Sequence, residues 1–547
     1  MNPDRKEWLL RAVIIVAFVT TIAVPFIMRK EKEHLTNPDE TLIIITPHNE
    51  AIRTEFGRGF REWYQERTGK SVYVDWRVIG GTAEIARYLA GGYQTTFRLL
   101  WEREMGRSWN NEVLSAFDNS RVIPDDTPQD DSEGEAARRA FLASEVDCGL
   151  DVFFGGGSYD FIRQAAAGRL VPSGLMERHP EWFSEAIIPL SHNGEPYTDP
   201  EGRWHGAVLA SFGIIHNADV YARLGIEAAP TRWSDLADDR LFGELALADP
   251  TKSSSINKAF EMVLQEAMQE RLVELQAGGE TGDAVEAQAV REGWVRGFQL
   301  LQNLGANARY FTDSSQKPPI DVFQGDSAAG MCIDFYGRYQ AEAVSRREGR
   351  PRVQYLTPPG GSVFSVDPIG LLRGAPNREV AESFIEFVLS LEGQKLWNYR
   401  VGTPGGPQQF ALRRLPVRRD AYTAEASTFM SDPEVEPYGP ENDFIYHASW
   451  TGHLFREMAF VMRVVCLDTH HEMIRAWKAI LDNGRPPGAV AIFTDLSEVD
   501  YETTNSSIKA ALRSADPLEE IRLAKRLSNH FRDQYKRAEA AAINSRN

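Results

Sequence analysis

Leu42 to Thr46 is an unbroken apolar, largely β-branched run that stops at Pro47-His48-Asn49. Beyond it, Ile52, Phe56, Phe60 and Trp63/Tyr64 recur at helical spacing until Thr68-Gly69. SVYVDWRV then alternates with period two, with Val72, Val74, Trp76 and Val78 pointing one way. Strand, helix and strand in this order form a βαβ unit, which predicts parallel strands joined by a right-handed crossover. Gly80-Gly81-Thr82 opens a second helix, whose apolar face is Ile85, Tyr88 and Leu89. The pattern degrades from about Phe97 to Glu145, a stretch that includes DDTPQDDSEGE, Asp125 to Glu135. An acidic run of this kind reads as a solvated loop ahead of a calcium site, and the whole region reads as an insertion.

Order returns with CGLDVFFGGGSYDFIRQAAAGRL, again strand, glycine-rich turn and helix. Further strands are predicted at Ala207–His216, Leu245–Leu247, Ala328–Ile333 and Ile369–Leu372, and helices at Ser255–Glu274, Gly293–Leu304, Tyr336–Arg346 and Arg378–Ser390. This alternation predicts an α/β protein with mostly parallel sheets covered on both faces. After about Ala424 the remaining segments read as helical, without a short repeat, and form an α-helical extension.

A chain of 547 residues is long enough for two or more lobes. Its formal net charge of −18 argues against a nucleic-acid partner. Cys148, Cys332 and Cys466 are far apart and match neither a metal spacing nor a disulfide framework. Trp8 to Met28 is apolar apart from Arg11 and the threonines, and basic residues flank it. As a helix it would span about 30 Å, one hydrocarbon core. It reads as an uncleaved anchor or as a signal peptide cut after Ala23; either reading puts the rest of the chain outside the cytoplasm.

In open parallel sheets, ligands sit where loops leave the carboxyl ends of strands. Pro47-His48-Asn49, Gly80-Gly81-Thr82 and Gly155-Gly156-Gly157-Ser158 are three such loops. Glycine there lets backbone N–H groups approach a ligand, and a helix N-terminus behind it favours anions. Neither a dinucleotide fingerprint nor a P-loop is present. In LADPTKSSSINKAF, Ser253, Ser254 and Ser255 stand at a helix start, as an N-cap with solvent hydroxyls or as an oxyanion site. CIDFYGRYQ places Asp334, Tyr336 and Tyr339 after a strand. CLDTHHEMI puts Asp468, His471 and Glu472 on one helical face, a polar face or a surface metal site for an otherwise unrecognised metal-dependent enzyme.

The order LIIITPHNEAIRTEFGRGF, VIGGTAEIARYL, DVFFGGGSYDFI, WHGAVLASFGIIHN, APTRWSDLADDRLFGELALADPTKSSS and PPGGSVFSVDPIGLLRGAPN resembles the extracellular solute-binding proteins of ABC importers. Within them it is most similar to the ferric-iron-binding branch of the type II periplasmic binding fold. The resemblance covers Thr41 to Tyr422 and implies two α/β lobes with ligand between them, GAVLASFGIIHN and VFSVDPIGLL being the crossings. It implies segment 1–30 as anchor or signal, 31–40 as linker and 41–206 as lobe one, with its insertion at about 97–145. Lobe two follows at 207–355, a return to lobe one at 356–423 and the helical extension at 424–547. His48, Asn49, Gly81, Thr82, Gly156, Gly157 and Ser158 then fall on one side of the cleft, and Ser253, Ser254, Ser255, Asp334 and Tyr336 on the other.

In the iron-binding branch a histidine, a glutamate and paired tyrosines hold the metal; here His48 and Tyr336 match, but the chain reads Phe335-Tyr336. Ferric iron prefers several anionic oxygen donors, so the same loops also suit a small organic anion. The resemblance implies a non-enzymatic protein at the periplasmic or extracellular face. Its partners would be a permease and an ATPase, its ligand ferric iron with an anion or a small organic anion. A membrane-tethered sensor signalling through the C-terminal helices is the alternative.

Overall fold

The computed structural model describes residues 37–124, 127–279, 281–439, 443–514 and 516–545. The expected anchor, most of the linker and Asp125-Asp126 lie outside them. Among the described residues no helix is long and apolar enough to cross a membrane.

The predicted βαβ unit is present. Strands β1 (Glu40–Ile45) and β2 (Val72–Arg77) pair in parallel, and β3 (Val152–Phe154) pairs in parallel on the other side of β1. Between the first two runs α1 (Glu50–Thr68), which Asn49 caps through Ile52 N and Gly69 ends in the left-handed region. Its buried residues Ile52, Phe56 and Phe60 follow the predicted spacing. Phe56 packs against Trp397 and Phe387, and Phe60 against Phe384. Each such side chain taken from water contributes about 1.5–3 kcal/mol.

The chain then runs through β4 (His205–Ala210), turns at Ser211 and enters the second sheet as β5 (Phe212–Asn217). That sheet is completed by β6 (Leu245–Ala248), β7 (Ala308–Thr312), β8 (Ala329–Ile333) and β9 (Val353–Leu356). The return is β10 (Ser365–Leu372), followed by the short β11 (Leu415–Pro416). The first sheet is ordered β11-β4-β10-β3-β1-β2 and the second β7-β6-β8-β5-β9. Both repeat one plan: three parallel strands in the order second, first, third, then an antiparallel strand that has just arrived from the other lobe. That reciprocal exchange defines a two-lobed type II periplasmic-binding-protein-like α/β fold. The crossings lie side by side, with Ser211 Oγ 3.1 Å from Thr357 Oγ1 and Phe212 N donating to Ser362 Oγ at 3.2 Å.

Two expectations change. Ala207–His216 is two strands broken at Ser211, because the chain changes sheets there. Tyr88 is exposed, outside the buried face that Ile85 and Leu89 form. The region at 97–145, read as an insertion within lobe one, packs into the core of that lobe. Phe97 stacks on Phe117 at 5.2 Å, and Trp101, Val113 and Phe141 are buried in the same core. A π-turn at Leu100–Glu104 and two short helices scatter these residues along the chain, which hid their periodicity. The end of the acidic run opens one of those helices, where Ser132 and Glu135 form a capping box.

The helical extension is not a separate body. Helices α4 (Ser254–Ala277) and α5 (Asp283–Asn307) of lobe two share one core with α9 (His470–Asp482), α10 (Pro487–Phe493) and α11 (Pro517–Asn544). The joining contacts include Trp294 Nε1 donating to Val499 O at 3.0 Å and Gln302 Nε2 to Phe493 O at 2.8 Å. α4 and α5 approach so closely that a Cβ on Gly293 would lie 2.4 Å from Met268 Cα. Gly293→Val must therefore push the helices apart, and a loss of about 2–3 kcal/mol is expected in urea unfolding; a change below about 0.5 kcal/mol would show that the pair tolerates separation.

Three more helices complete the frame: α6 (Asp334–Glu348) after β8, then α7 (Arg378–Leu389) and α8 (Leu391–Asn398) in lobe one. A further tie between the lobes comes from the chain ahead of the extension. Tyr446 N donates to Asn193 O in lobe one, and its hydroxyl donates to Glu261 in lobe two. Beside it the half-buried Lys258 bridges Glu195 and Glu261.

Candidate functional site

The carboxyl ends of both sheets face each other across the cleft. From lobe one come His48-Asn49 ahead of α1, Gly81 ahead of α2 (Thr82–Leu99), and Gly155–Gly157 ahead of α3 (Ser158–Ala167). From lobe two come Ser253, the cap of α4, and the first turn of α6. The lobes touch directly. Thr82 Oγ1 lies 2.7 Å from Ser254 Oγ, and Asn49 reaches the hydroxyl of Tyr336. The extension joins the closure where Phe455 meets Tyr159, in the first turn of α3, at 4.7 Å between ring centroids.

His48 is 6% exposed, and neither ring nitrogen has a hydrogen-bond partner. Phe154 meets it edge-on at 4.6 Å, and Asp367 Oδ2 is 3.7 Å from Nε2. Burial pushes the imidazole pKa down against the pull of Asp367, so the ring is neutral near pH 7. Gly155 has φ +92°, and a Cβ there would lie 2.4 Å from His48 Nε2, so a side chain cannot stand at this turn. A Cβ on Gly156 would likewise strike Thr82 Cγ2.

A deeply buried charge in this wall is Arg414, 1% exposed. Nη1 donates to Asp367 Oδ2 at 2.6 Å, and the guanidinium lies 4.6 Å from the Phe335 ring centre and 5.6 Å from that of Trp397. Its Nε and Nη2 are buried without a partner among the described residues. Burial alone would raise the Asp367 pKa, but the Arg414 guanidinium holds it below the usual carboxylate value. The preceding Arg413 is in the left-handed region at φ +55° and pairs with Glu342 and Asp432. The two neighbours thus point into different surroundings. Burial pushes the Tyr336 hydroxyl up to about 12 against Arg414, Asn49 and Gln316. Asp160, in the first turn of α3, is pushed up to about 6 by burial, opposed by a hydrogen bond with Thr82 and by Arg163; its Oδ2 has no partner.

Of the residues predicted from sequence, His48, Asn49, Thr82, Ser254 and Tyr336 meet at the closed cleft, with the glycine turns beneath them. Ser253 caps Ile256 N, Ser255 follows in the first turn of α4, and Ser158 opens α3. Asp334 is fully buried within lobe two, accepting from Phe335 N at 2.7 Å and pairing with Arg338 at 3.0 Å. In CLDTHHEMI, Asp468 accepts from Ser528, His470 lies against Gly305 O and Glu472 pairs with Arg532. Among the described residues no group of three or more His, Cys, Asp or Glu is placed to hold a metal. Sequence reading missed Arg414, Asp367 and Asp160. The signal for the first was two consecutive arginines inside the apolar stretch FALRRLPV.

Fold and site define a class, a two-lobed binding protein with its candidate site between the lobes. Residues 150–418 match the family described as bacterial extracellular solute-binding protein, in agreement with the resemblance read from the sequence. An uncharacterized protein of Haemophilus influenzae is 27% identical over 252 residues, which are 45% of this chain and 60% of that protein. The gamma-aminobutyric acid-binding protein of Pseudomonas aeruginosa is 27% identical over 187 residues, 34% of this chain and 46% of its own length. The chain thus spans 60% or less of the length of these curated relatives. Similar solved structures include the periplasmic binding protein P5PA, with TM-score 0.45 at 16% identity, covering 77% of this chain and 94% of that one. Iron-bound HitA from Pseudomonas aeruginosa has TM-score 0.42 at 16% identity, covering 76% of this chain and 99% of that one. Likenesses of this size carry no argument about ligand.

Proposed function

We propose that this chain is an extracytoplasmic, non-enzymatic solute-binding protein. It closes its lobes on a small organic anion, a carboxylate foremost, for delivery to the permease and ATPase of an ABC importer. The observation that carries this reading is Arg414: a buried guanidinium, placed over two aromatic rings, with two N–H donors unspent. A rigid fork of donors matches the two oxygens of a carboxylate. Unpaired donors held away from water are costly, and a ligand oxyanion relieves that cost. Tyr336, Asn49 and the Thr82–Ser254 pair supply neutral hydrogen bonds around it.

Ferric iron draws less support from the same residues. His48 and Tyr336 would be joined by a guanidinium, whose positive charge opposes a trivalent cation, and Tyr336 would have to lose its proton from a value raised to about 12. The alternative of a membrane-tethered sensor draws on the N-terminal apolar segment and the C-terminal helices, and those helices pack into the core of lobe two. The test is thermal shift and calorimetry of the full chain in mild detergent with acetate, butyrate, glutarate, inorganic phosphate and ferric citrate. Saturating carboxylate is expected to raise Tm by a few degrees, consistent with about 2–3 kcal/mol of linkage at a hundredfold excess over Kd. Stabilisation by ferric iron alone, with a tyrosinate-to-iron absorption, would overturn it.

A further inference from the structure

The charges in the cleft narrow the kind of carboxylate it can hold. Arg414 is balanced by Asp367 through their hydrogen bond, and buried His48 is neutral, so these three groups sum to zero. Asp160 remains. Its Oδ2 is out of contact with solvent and has no donor. Thr82, its hydrogen-bonding neighbour, faces Ser254 of lobe two, which places the carboxylate at the meeting line of the lobes. Arg163 also acts on it but is exposed on the outer side of α3.

Between Asp160 and the His48–Asp367–Arg414 group runs Gly155-Gly156-Gly157, where side chains at the first two positions would collide with His48 and Thr82. His48 and Thr82 therefore pack directly on this turn and link the two groups, and only at Gly157 is the space beside the backbone open. A purely anionic ligand would meet Arg414 already neutralised and Asp160 repelling it. A ligand with a positive end would satisfy the orphan carboxylate oxygen and the orphan guanidinium donors together. Given carboxylate capture by Arg414, on which this step rests, we infer that the cleft takes a small amino-bearing carboxylic acid, its carboxylate on Arg414 and its ammonium on Asp160.

The test is calorimetry of the full chain at neutral pH with two chain-matched sets: β-alanine, propionate and succinate; γ-aminobutyrate, butyrate and glutarate. In at least one set the amino acid is expected to bind about tenfold or more tighter than both counterparts, the effect of one charge-assisted contact. Asp160→Asn, isosteric and uncharged, should weaken the amino acid about tenfold and narrow its lead over the dicarboxylate. If that variant does not fold, the preference of the unaltered chain decides by itself. Equal binding of the amino acid and its counterparts, or an unchanged preference in folded Asp160→Asn, overturns this inference while leaving carboxylate capture standing. Binding of none of the six overturns both.

Discussion

Arg414→Gln is expected to weaken carboxylate binding by about 100-fold or more. Two charge-assisted hydrogen bonds, each contributing about 1.5–3 kcal/mol, would be made by Nε and Nη2 to the ligand, and glutamine cannot present that fork. A second effect adds to the first. Without its partner at 2.6 Å, Asp367 keeps a negative charge next to the incoming anion. The double variant Arg414→Gln/Asp367→Asn removes that repulsion without restoring the donors, so it should recover only about tenfold of the loss. Arg414→Lys keeps the charge but loses the fork of donors and the guanidinium contact with Phe335 and Trp397, and should still bind about tenfold more weakly than the parent. Because Arg414 is 1% exposed and breaking a buried pair is destabilising, a fall in stability of about 3 kcal/mol should accompany the single change. Calorimetry on the three variants checks the scheme. Affinity within about threefold of the parent in folded Arg414→Gln would remove Arg414 from the site.

The sequence makes the two ends of this site unequally visible. His48 and Asn49 can be found because a strand of period-independent apolar residues ends abruptly and a helix of clear 3.6 periodicity begins. Whatever stands between must lie at the carboxyl end of the sheet. Gly81-Thr82, Gly155–Gly157 and Ser253–Ser255 are legible by the same local rule. Arg414, Asp367 and Asp160 are not. Arg414 and Asp367 lie 47 positions apart, and their pairing depends on β10 arriving from lobe two beside β4, a fact of topology and not of local pattern. Asp160 looks like an ordinary acidic residue in the first turn of a helix, where it would be favourable in solvent. That its Oδ2 is out of contact with solvent and lacks a partner is a fact of tertiary packing. The extension was legible as helix after helix, but its place in the core of lobe two depends on Trp294 and Gln302, whose partners are about 200 residues away.

The second large effect concerns a residue that shapes the site without entering it. Glu55 lies on α1 between Ile52 and Phe56 and is fully buried. Its carboxylate accepts from Gln409 N at 2.6 Å and from Gln408 N and Phe410 N at 2.9 Å each, with Arg58 beside it. One side chain thereby gathers three successive backbone donors of the loop that leads into Arg413-Arg414. A charged residue can stay on the core face of a helix because it replaces the hydrogen bonds water would have made. Glu55→Ala is expected to cost about 4 kcal/mol in urea unfolding, less than the sum of three charged hydrogen bonds because the loop can partly re-solvate. Glu55→Gln keeps one acceptor oxygen but turns an NH2 toward backbone donors, so about half that loss is expected. Both should speed amide exchange at 408–410 and weaken carboxylate binding, because the segment that aims Arg414 is no longer anchored to α1. A loss below about 1 kcal/mol for Glu55→Ala, with exchange at 408–410 unchanged, would show that the loop holds its course through packing alone.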